Sequence, residues 1–237
     1  MILNPEDLQQ DADRLEEIEK ASLRMVTQAI YDYRNEAAEI FKIEIDLAAD
    51  IGEDITREAL DKLGMSRIDQ RLFGKIDYKR ARYVFHPEYS IKQALFVDSK
   101  AEKIEGQRTA TLQTSQTSMK IEQIRSGKSV SVEGKLPKIL ELKEQKFITT
   151  TIFVKYNYAE DDEEKKLENV IIAALPNGFL QEKYNPSPTD NIWLAGRNAP
   201  SRGEEFRVRL SFEKLKSKAN WRVQKIHLLP PSFDWED

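Results

Sequence analysis

The chain has no cysteine and only two histidines, His86 and His227. The first absence excludes disulfides and thiolate zinc sites. The second makes a multi-histidine metal centre or an Asp-His hydrolase triad a poor fit. No apolar stretch approaches the roughly 20 residues of a membrane span. The N-terminus, Met1-Ile2-Leu3-Asn4-Pro5-Glu6, lacks the basic-then-apolar layout of a signal peptide, so a cytoplasmic protein is expected. Nor is there an internal repeat, a low-complexity tract or a glycine-rich phosphate loop of the P-loop kind. What remains is a globular composition, 33% charged and 40% hydrophobic over 237 residues, long enough for one domain with a core.

A net charge of −4 speaks weakly against a nucleic-acid partner, but its distribution matters more. Residues 1–63 hold 17 acidic and 7 basic side chains, a net of −10, and the remainder holds 24 and 30, a net of +6. An acidic helical part joined to a basic part is compatible with one face that meets phosphates. Chance unevenness in a charge-rich chain is the competing account.

Periodicity sets out the elements. Leu15, Ile18, Leu23, Val26, Ile30, Tyr33, Ala37 and Ile40 recur at helical spacing, so one helix is expected from about Leu8 to Ile45. Gly52 is expected to break the run, and a second helix to follow from about Asp54 to Leu63, stopping at Gly64. Glu53-Asp54-Ile55-Thr56 reads as the cap and first-turn charge of that helix. Gly74 to Phe85 reads as a strand, His86 to Ser90 as a turn, and the residues up to Lys100 as a second strand. An exit loop over Ala101 to Gly106 and a crossover helix over Thr109 to Ile124 are expected next. Then come a strand near Ser129–Val132, a strand from Phe147 to Tyr158, a charged loop from Ala159 to Lys166, and a buried strand from Val170 to Leu175. Residues 184–200 are rich in turn formers. Phe206, Val208, Leu210 and Phe212 alternate with Arg207 and Arg209, so both arginines point away from the apolar face. A strand from Trp221 to Leu229 closes the chain, with Pro230-Pro231 beginning a tail.

The chemistry concentrates at Ala94-Leu95-Phe96-Val97-Asp98-Ser99-Lys100. An acid-x-Lys pattern is cheap, since Asp77/Lys79, Glu133/Lys135 and Glu141/Lys143 also show it. Only Asp98-Ser99-Lys100 follows an apolar run with a strand-borne acid, Asp77, upstream. Period-two alternation puts Asp98 and Lys100 on one face, and a returning antiparallel strand can bring Asp77 beside them. Two carboxylates and a lysine suit metal-assisted phosphodiester hydrolysis: the carboxylates hold Mg2+ and the ammonium supports the attacking hydroxide or the developing charge. An Asp-Lys ion pair at a strand end accounts for the same pattern. Paired arginines on a strand, Arg207 and Arg209, suit guanine edges or phosphates, or else a solvated face balancing Glu204 and Glu205.

Phe73-Gly74-Lys75-Ile76-Asp77-Tyr78-Lys79-Arg80-Ala81-Arg82 and Val97-Asp98-Ser99-Lys100-Ala101 together resemble the SfiI-like type II restriction endonucleases of the PD-(D/E)XK nuclease superfamily. Asn185-Pro186-x-Pro188, Gly196, Ser201-Arg202-Gly203-Glu204 and Trp221-Arg222 match the same pattern, which favours DNA recognition in this region, and the resemblance covers roughly residues 15–228. The departure from the superfamily label is Ile76 where proline precedes the acid. That proline is dispensable to the chemistry, since only the carboxylate binds metal.

The resemblance implies an α/β (α+β) fold, a restriction-endonuclease-like mixed β-sheet core flanked by helices, with a long N-terminal helical region. It implies a single domain, 1–237, with a helical part at 1–64, a catalytic core at 65–175, and recognition loops and closing strands at 176–237. Asp77 and Asp98 would be ligands of Mg2+, and Lys100 the residue that orients or activates the water. Glu36 is a candidate acid standing behind the metal ligands, or an exposed helix glutamate. Arg202, Arg207, Arg209, Asn198 and Arg108 are candidate contacts to double-stranded DNA. The implied activity is a double-strand break at a palindromic, interrupted GC-rich site, by a homo-oligomer that is at least a dimer and by resemblance a tetramer. A repair or structure-selective nuclease with the same triad, and an inert DNA-binding relative, remain the competing readings.

Overall fold

The computed structural model describes residues 2–43, 48–67, 81–104, 108–161, 164–194 and 206–237. A 3-10 turn over Pro5–Gln10 leads into α1 (Ala12–Asp32), whose cap is Asp11, accepting from the Arg14 N–H at 3.1 Å. The expected single helix to Ile45 is instead two, because α1 ends and α2 (Arg34–Ile43) begins at Tyr33, with φ −92° and ψ 3°. No glycine or proline causes this break. Tyr33 is buried, and its hydroxyl donates to Glu58 Oε2 at 2.5 Å on α3 (Ala48–Lys62), so tertiary contacts set the corner. Gly52 lies inside α3 rather than before it. A Cβ there would sit 3.2 Å from the Tyr156 ring and 3.4 Å from the Ala101 backbone nitrogen, so glycine lets the helix approach the sheet closely. The predicted stop at Gly64 is observed, at φ +75°.

The strands follow as β1 (Ala81–His86), β2 (Ile91–Lys103), β3 (Thr109–Gln113), β4 (Ile121–Arg125), β5 (Lys128–Val132), β6 (Ile139–Leu142), β7 (Gln145–Asp161) and β8 (Glu164–Leu175). After them come α4 (Gln181–Tyr184), β9 (Trp193–Leu194), β10 (Arg207–Ser211), α5 (Phe212–Lys218), β11 (Val223–Leu228) and β12 (Pro231–Ser232). The main sheet runs β1-β2-β7-β8-β11-β12, with β6 also on β7. It is mixed: β2 and β7 are parallel and the other pairs antiparallel. A smaller sheet, β3-β10-β9, and a β4-β5 hairpin complete the strands.

Four further expectations need correction. Thr109 to Ile124 is not a crossover helix but β3, a 3-10 turn at Thr114–Gln116, and β4. Ala110 and Leu112 are buried while Thr109, Thr111 and Gln113 are half-buried, a period of two that suits a strand. The exit loop is shorter than expected, because β2 continues through Lys103. The charged loop after Tyr158 is mostly strand, since β7 reaches Asp161 and β8 starts at Glu164. The tail does not leave the body: β12 pairs with β11, and the Asp237 carboxylate lies 2.6 Å from Lys20 Nζ.

Among the described residues the sheet separates two large cores, and a smaller apolar cluster forms around Ala81, Ala94, Phe96, Leu140 and Phe147. On one face Leu95, Val97, Ile152, Val154, Tyr156, Val170 and Ile172 pack with Leu23, Val26, Ile30, Phe41 and Ile55 of the three helices. On the other, Phe153, Ile171, Ala173 and Val223 pack with Leu15, Ile18, Ala110, Leu112, Val208 and Leu210, so the small sheet covers that side. Each fully buried aliphatic side chain contributes about 1.5–3 kcal/mol of transfer free energy.

Candidate active site

Val97 belongs to the helical face, so the next residue, Asp98, turns to the side covered by the small sheet. Asp98 is buried, and alternation carries Lys100 and Glu102 to the same side. The parallel register pairs Asp98 with Phe153, Lys100 with Lys155 and Glu102 with Asn157. This strip therefore changes from apolar to charged within one step along β7.

Two ammonium groups meet there. Lys100 Nζ donates to the Thr111 carbonyl at 2.7 Å. Lys155 Nζ donates to Glu102 Oε2 at 2.6 Å and to the Thr109 carbonyl at 2.5 Å. Burial pushes the Lys155 ammonium below its ordinary value and the charge of Lys100 adds to that, while Glu102 opposes it by hydrogen bond and charge. Thr109 and Thr111 are alternate residues of β3, which stands at the edge of the small sheet. The two lysines therefore tie the main sheet to the edge strand of the small one.

The small sheet carries the arginines. Val208 and Leu210 are buried, Arg209 is exposed and Arg207 half-buried, as the alternation predicted. Arg209 pairs in register with Thr111, whose carbonyl holds Lys100. The Arg207 carbonyl accepts from Arg125 Nη2 at 2.8 Å, which joins the β4-β5 hairpin to the middle strand of the same sheet. Arg108 is exposed immediately before β3, and its carbonyl accepts from the Phe212 N–H at 3.3 Å.

Asp77, Asn198 and Arg202 lie outside the described residues. Glu36 is not brought to Asp98: α2 packs on the helical face through Ala37 and Phe41, and Glu36 is exposed with Lys62 Nζ at 3.5 Å. Arg222, part of the pattern linked to recognition, faces inward. It is fully buried, donates to Glu19 Oε2 at 2.7 Å, and lies 4.3 and 4.4 Å from the Tyr184 and Trp221 ring centroids. Asn185 is likewise buried, its amide donating to the Lys120 carbonyl at 2.5 Å.

Sequence reasoning assigned nothing to Glu102 or Lys155. The signal was present in Ile152-Phe153-Val154-Lys155-Tyr156, where a lysine interrupts an otherwise apolar strand. A lysine in such a place is buried only with partners. Among the described residues no group of three acidic, histidine or cysteine side chains could hold a metal. Asp98 supplies carboxylate oxygens, the donors a hard divalent cation takes.

A family model described as type II restriction enzyme SfiI matches residues 31–226. The type II restriction enzyme SfiI of Streptomyces fimbriatus is 35% identical over 233 residues, covering 91% of this chain and 85% of its own. Among solved structures, tetrameric restriction endonuclease SfiI bound to cognate DNA superposes with a TM-score of 0.78 at 34% identity, over 91% of this chain and 85% of that one. Restriction endonuclease BglI bound to its DNA recognition sequence gives a TM-score of 0.77 at 16% identity, over 95% and 94%, a likeness of fold alone. With the family pattern spanning most of its length and its strands arranged as in these enzymes, the chain belongs to the SfiI type II restriction enzyme family.

Proposed function

We propose that this chain is a type II site-specific deoxyribonuclease that makes Mg2+-dependent double-strand breaks at a palindromic, interrupted GC-rich site. One observation carries the reading. Asp98 and Lys100 share a strand face, and Lys100 is hydrogen-bonded to the strand that pairs with the arginine-bearing β10. Chemistry and DNA contact would thus be held in one frame.

Type II restriction enzymes generally use a divalent metal. Asp98, with Asp77 as the second proposed ligand, would hold it, and oxygen donors without histidine or cysteine fit Mg2+. When bound, the ion polarises the phosphate and acidifies a water. Lys100 would orient the attacking water and balance charge developing on the phosphate. The β1-β2 register, which pairs Ala81 with Phe96, runs toward the Asp98 end of β2 as β1 is followed back toward its start. Arg207 and Arg209, with Arg108, Arg202 and Asn198, are the proposed DNA contacts. Bidentate arginine contacts to guanine suit a GC-rich site.

One site per chain cuts one strand, so a palindrome calls for two chains about a two-fold axis. We take the assembly to be a homotetramer, as the SfiI relative is. A sedimentation mass of four 27.5 kDa chains checks this, and a two-chain mass discards it. We place the enzyme in the cytoplasm, as one domain spanning 1–237 with the three parts read from the sequence.

The decisive experiment digests a phage DNA of known sequence with Mg2+ and maps the cut ends. A single shared sequence flanking every cut is expected. Cuts without a common sequence would favour the structure-selective nuclease, and no cutting with Mg2+ would favour the inert relative.

A further inference from the structure

Lys155 is an expensive residue to keep where it is. Its side chain has no exposed surface, and it sits in a strand between Val154 and Tyr156, both buried. A leucine or methionine would fill comparable space without the cost of desolvating an ammonium. The pair is also unsymmetrical, because Glu102 is 39% exposed while Lys155 is enclosed. A purely space-filling role explains neither the charge nor its direction.

The contacts give the charge a use. The parallel register sets Lys155 directly beside Lys100. Both ammonium groups reach out of the main sheet to carbonyls of one strand, Lys155 to Thr109 and Lys100 to Thr111. Those carbonyls are two residues apart on β3, so moving one moves the other. Fixing Thr109 therefore fixes where Thr111 holds the Lys100 ammonium. Glu102 in turn holds Lys155 from the open side at 2.6 Å. On the far edge of β3, β10 pairs with it over Arg207–Ser211, so the ladder of the small sheet holds the arginine strand independently of the lysines.

We infer that Lys155, held by Glu102, is a positioning residue that clamps β3 to the main sheet and so places the Lys100 ammonium for cleavage. The inference rests on the nuclease reading above. It predicts a specific split in kinetics. DNA affinity depends on groups that face the DNA, whereas placement of Lys100 matters only once the strand is being cut.

The test compares wild type, Lys155→Met, Glu102→Gln and Lys100→Ala on a duplex carrying the mapped site. Single-turnover cleavage is measured at saturating DNA, and binding is measured with Ca2+. Lys155→Met is expected to remain folded by circular dichroism, to keep its Kd within about threefold, and to cut at least tenfold more slowly, a barrier increase of about 1.4 kcal/mol. Glu102→Gln keeps an oxygen acceptor without the charge, and is expected to slow cutting in the same direction by a smaller factor, again at unchanged Kd. If Lys155→Met cuts within twofold of wild type, or if weaker binding accounts for the whole loss, the inference is overturned. Should Lys155→Met not fold, Glu102→Gln decides, and a wild-type rate there overturns the inference. Wild type and Lys100→Ala separate the two levels: a wild type that does not cut refutes the nuclease reading, a Lys100→Ala that cuts as wild type does overturns the inference by removing the role of Lys100, and a wild type that cuts beside an equally active Lys155→Met refutes only the clamp.

Discussion

Arg222 and Lys155 are both fully buried cations paired with a glutamate, and their surroundings differ in an instructive way. Arg222 meets Glu19, which also has no exposed surface and accepts from the Asn177 N–H at 2.7 Å. Its guanidinium lies against the Tyr184 and Trp221 rings, so the pair is closed on every side the structure describes. Burial pushes the Glu19 carboxyl up, and Arg222 counters by charge and hydrogen bond. Lys155 meets Glu102, which keeps part of its surface open at the side of Asp98 and Lys100. A closed pair ties α1 to the end of the sheet and holds shape. A pair open on one side can take part in what happens there.

The largest expected effect breaks the closed pair. Arg222→Met leaves Glu19 buried without a counter-charge, which costs about 3–5 kcal/mol of stability. Urea denaturation measures it. Lys155→Met should cost well under half as much, because Glu102 can turn to water. Equal losses in the two variants would erase the distinction between them. Next in size is an exposed arginine. Arg209→Ala should leave stability within about 0.5 kcal/mol, as surface changes do. It should cost about 1–3 kcal/mol of binding at one base pair if Arg209 bonds a guanine edge. Binding to cognate and single-substituted duplexes at two salt concentrations checks this, and uniform weakening would mean a phosphate contact.

The smallest expected effect concerns a buried group that stays neutral. His86 Nε2 lies 3.2 Å from Ser22 Oγ and 3.1 Å from Gln93 Oε1. Burial holds the imidazole below its ordinary value of 6.5, against the hydrogen bond to Gln93 and the charge of Glu88. The unfolded chain therefore binds the proton first as pH falls. Stability from this group is complete above 6.5 and declines as pH drops below that value toward the folded one. Melting temperatures across this window should show a steeper slope for wild type than for His86→Gln. Parallel slopes would remove His86 from the account.

Regions with one dominant period were legible in advance. The apolar runs at 147–158 and 170–175 are the centre of the sheet, and the alternation through Val208 and Leu210 gave the arginine strand its correct faces. Asp98 and Lys100 stood out because an apolar run led into them. What escaped was set by contacts distant in sequence. Nothing local marks Tyr33 as a helix corner, since the cause is Glu58 on α3. Gly52 looks like a breaker until Tyr156 and Ala101 are seen against it. Thr109 to Gln116 lacks a strong apolar signal, and its strand is specified by β10, nearly a hundred residues on. Trp221-Arg222 was read with recognition, yet only the fold shows that Glu19 claims the arginine.

In the proposed nuclease Asp98 stands at the cleavage centre. Asp98→Asn keeps the size of the side chain and removes the negative charge that would hold Mg2+. The direct measurement follows cleavage and binding of one cognate duplex by this variant and wild type, with Mg2+ for cutting and Ca2+ for binding. The account predicts that Asp98→Asn binds the duplex with wild-type specificity and does not cut it. Full Mg2+-dependent cleavage by Asp98→Asn would contradict it.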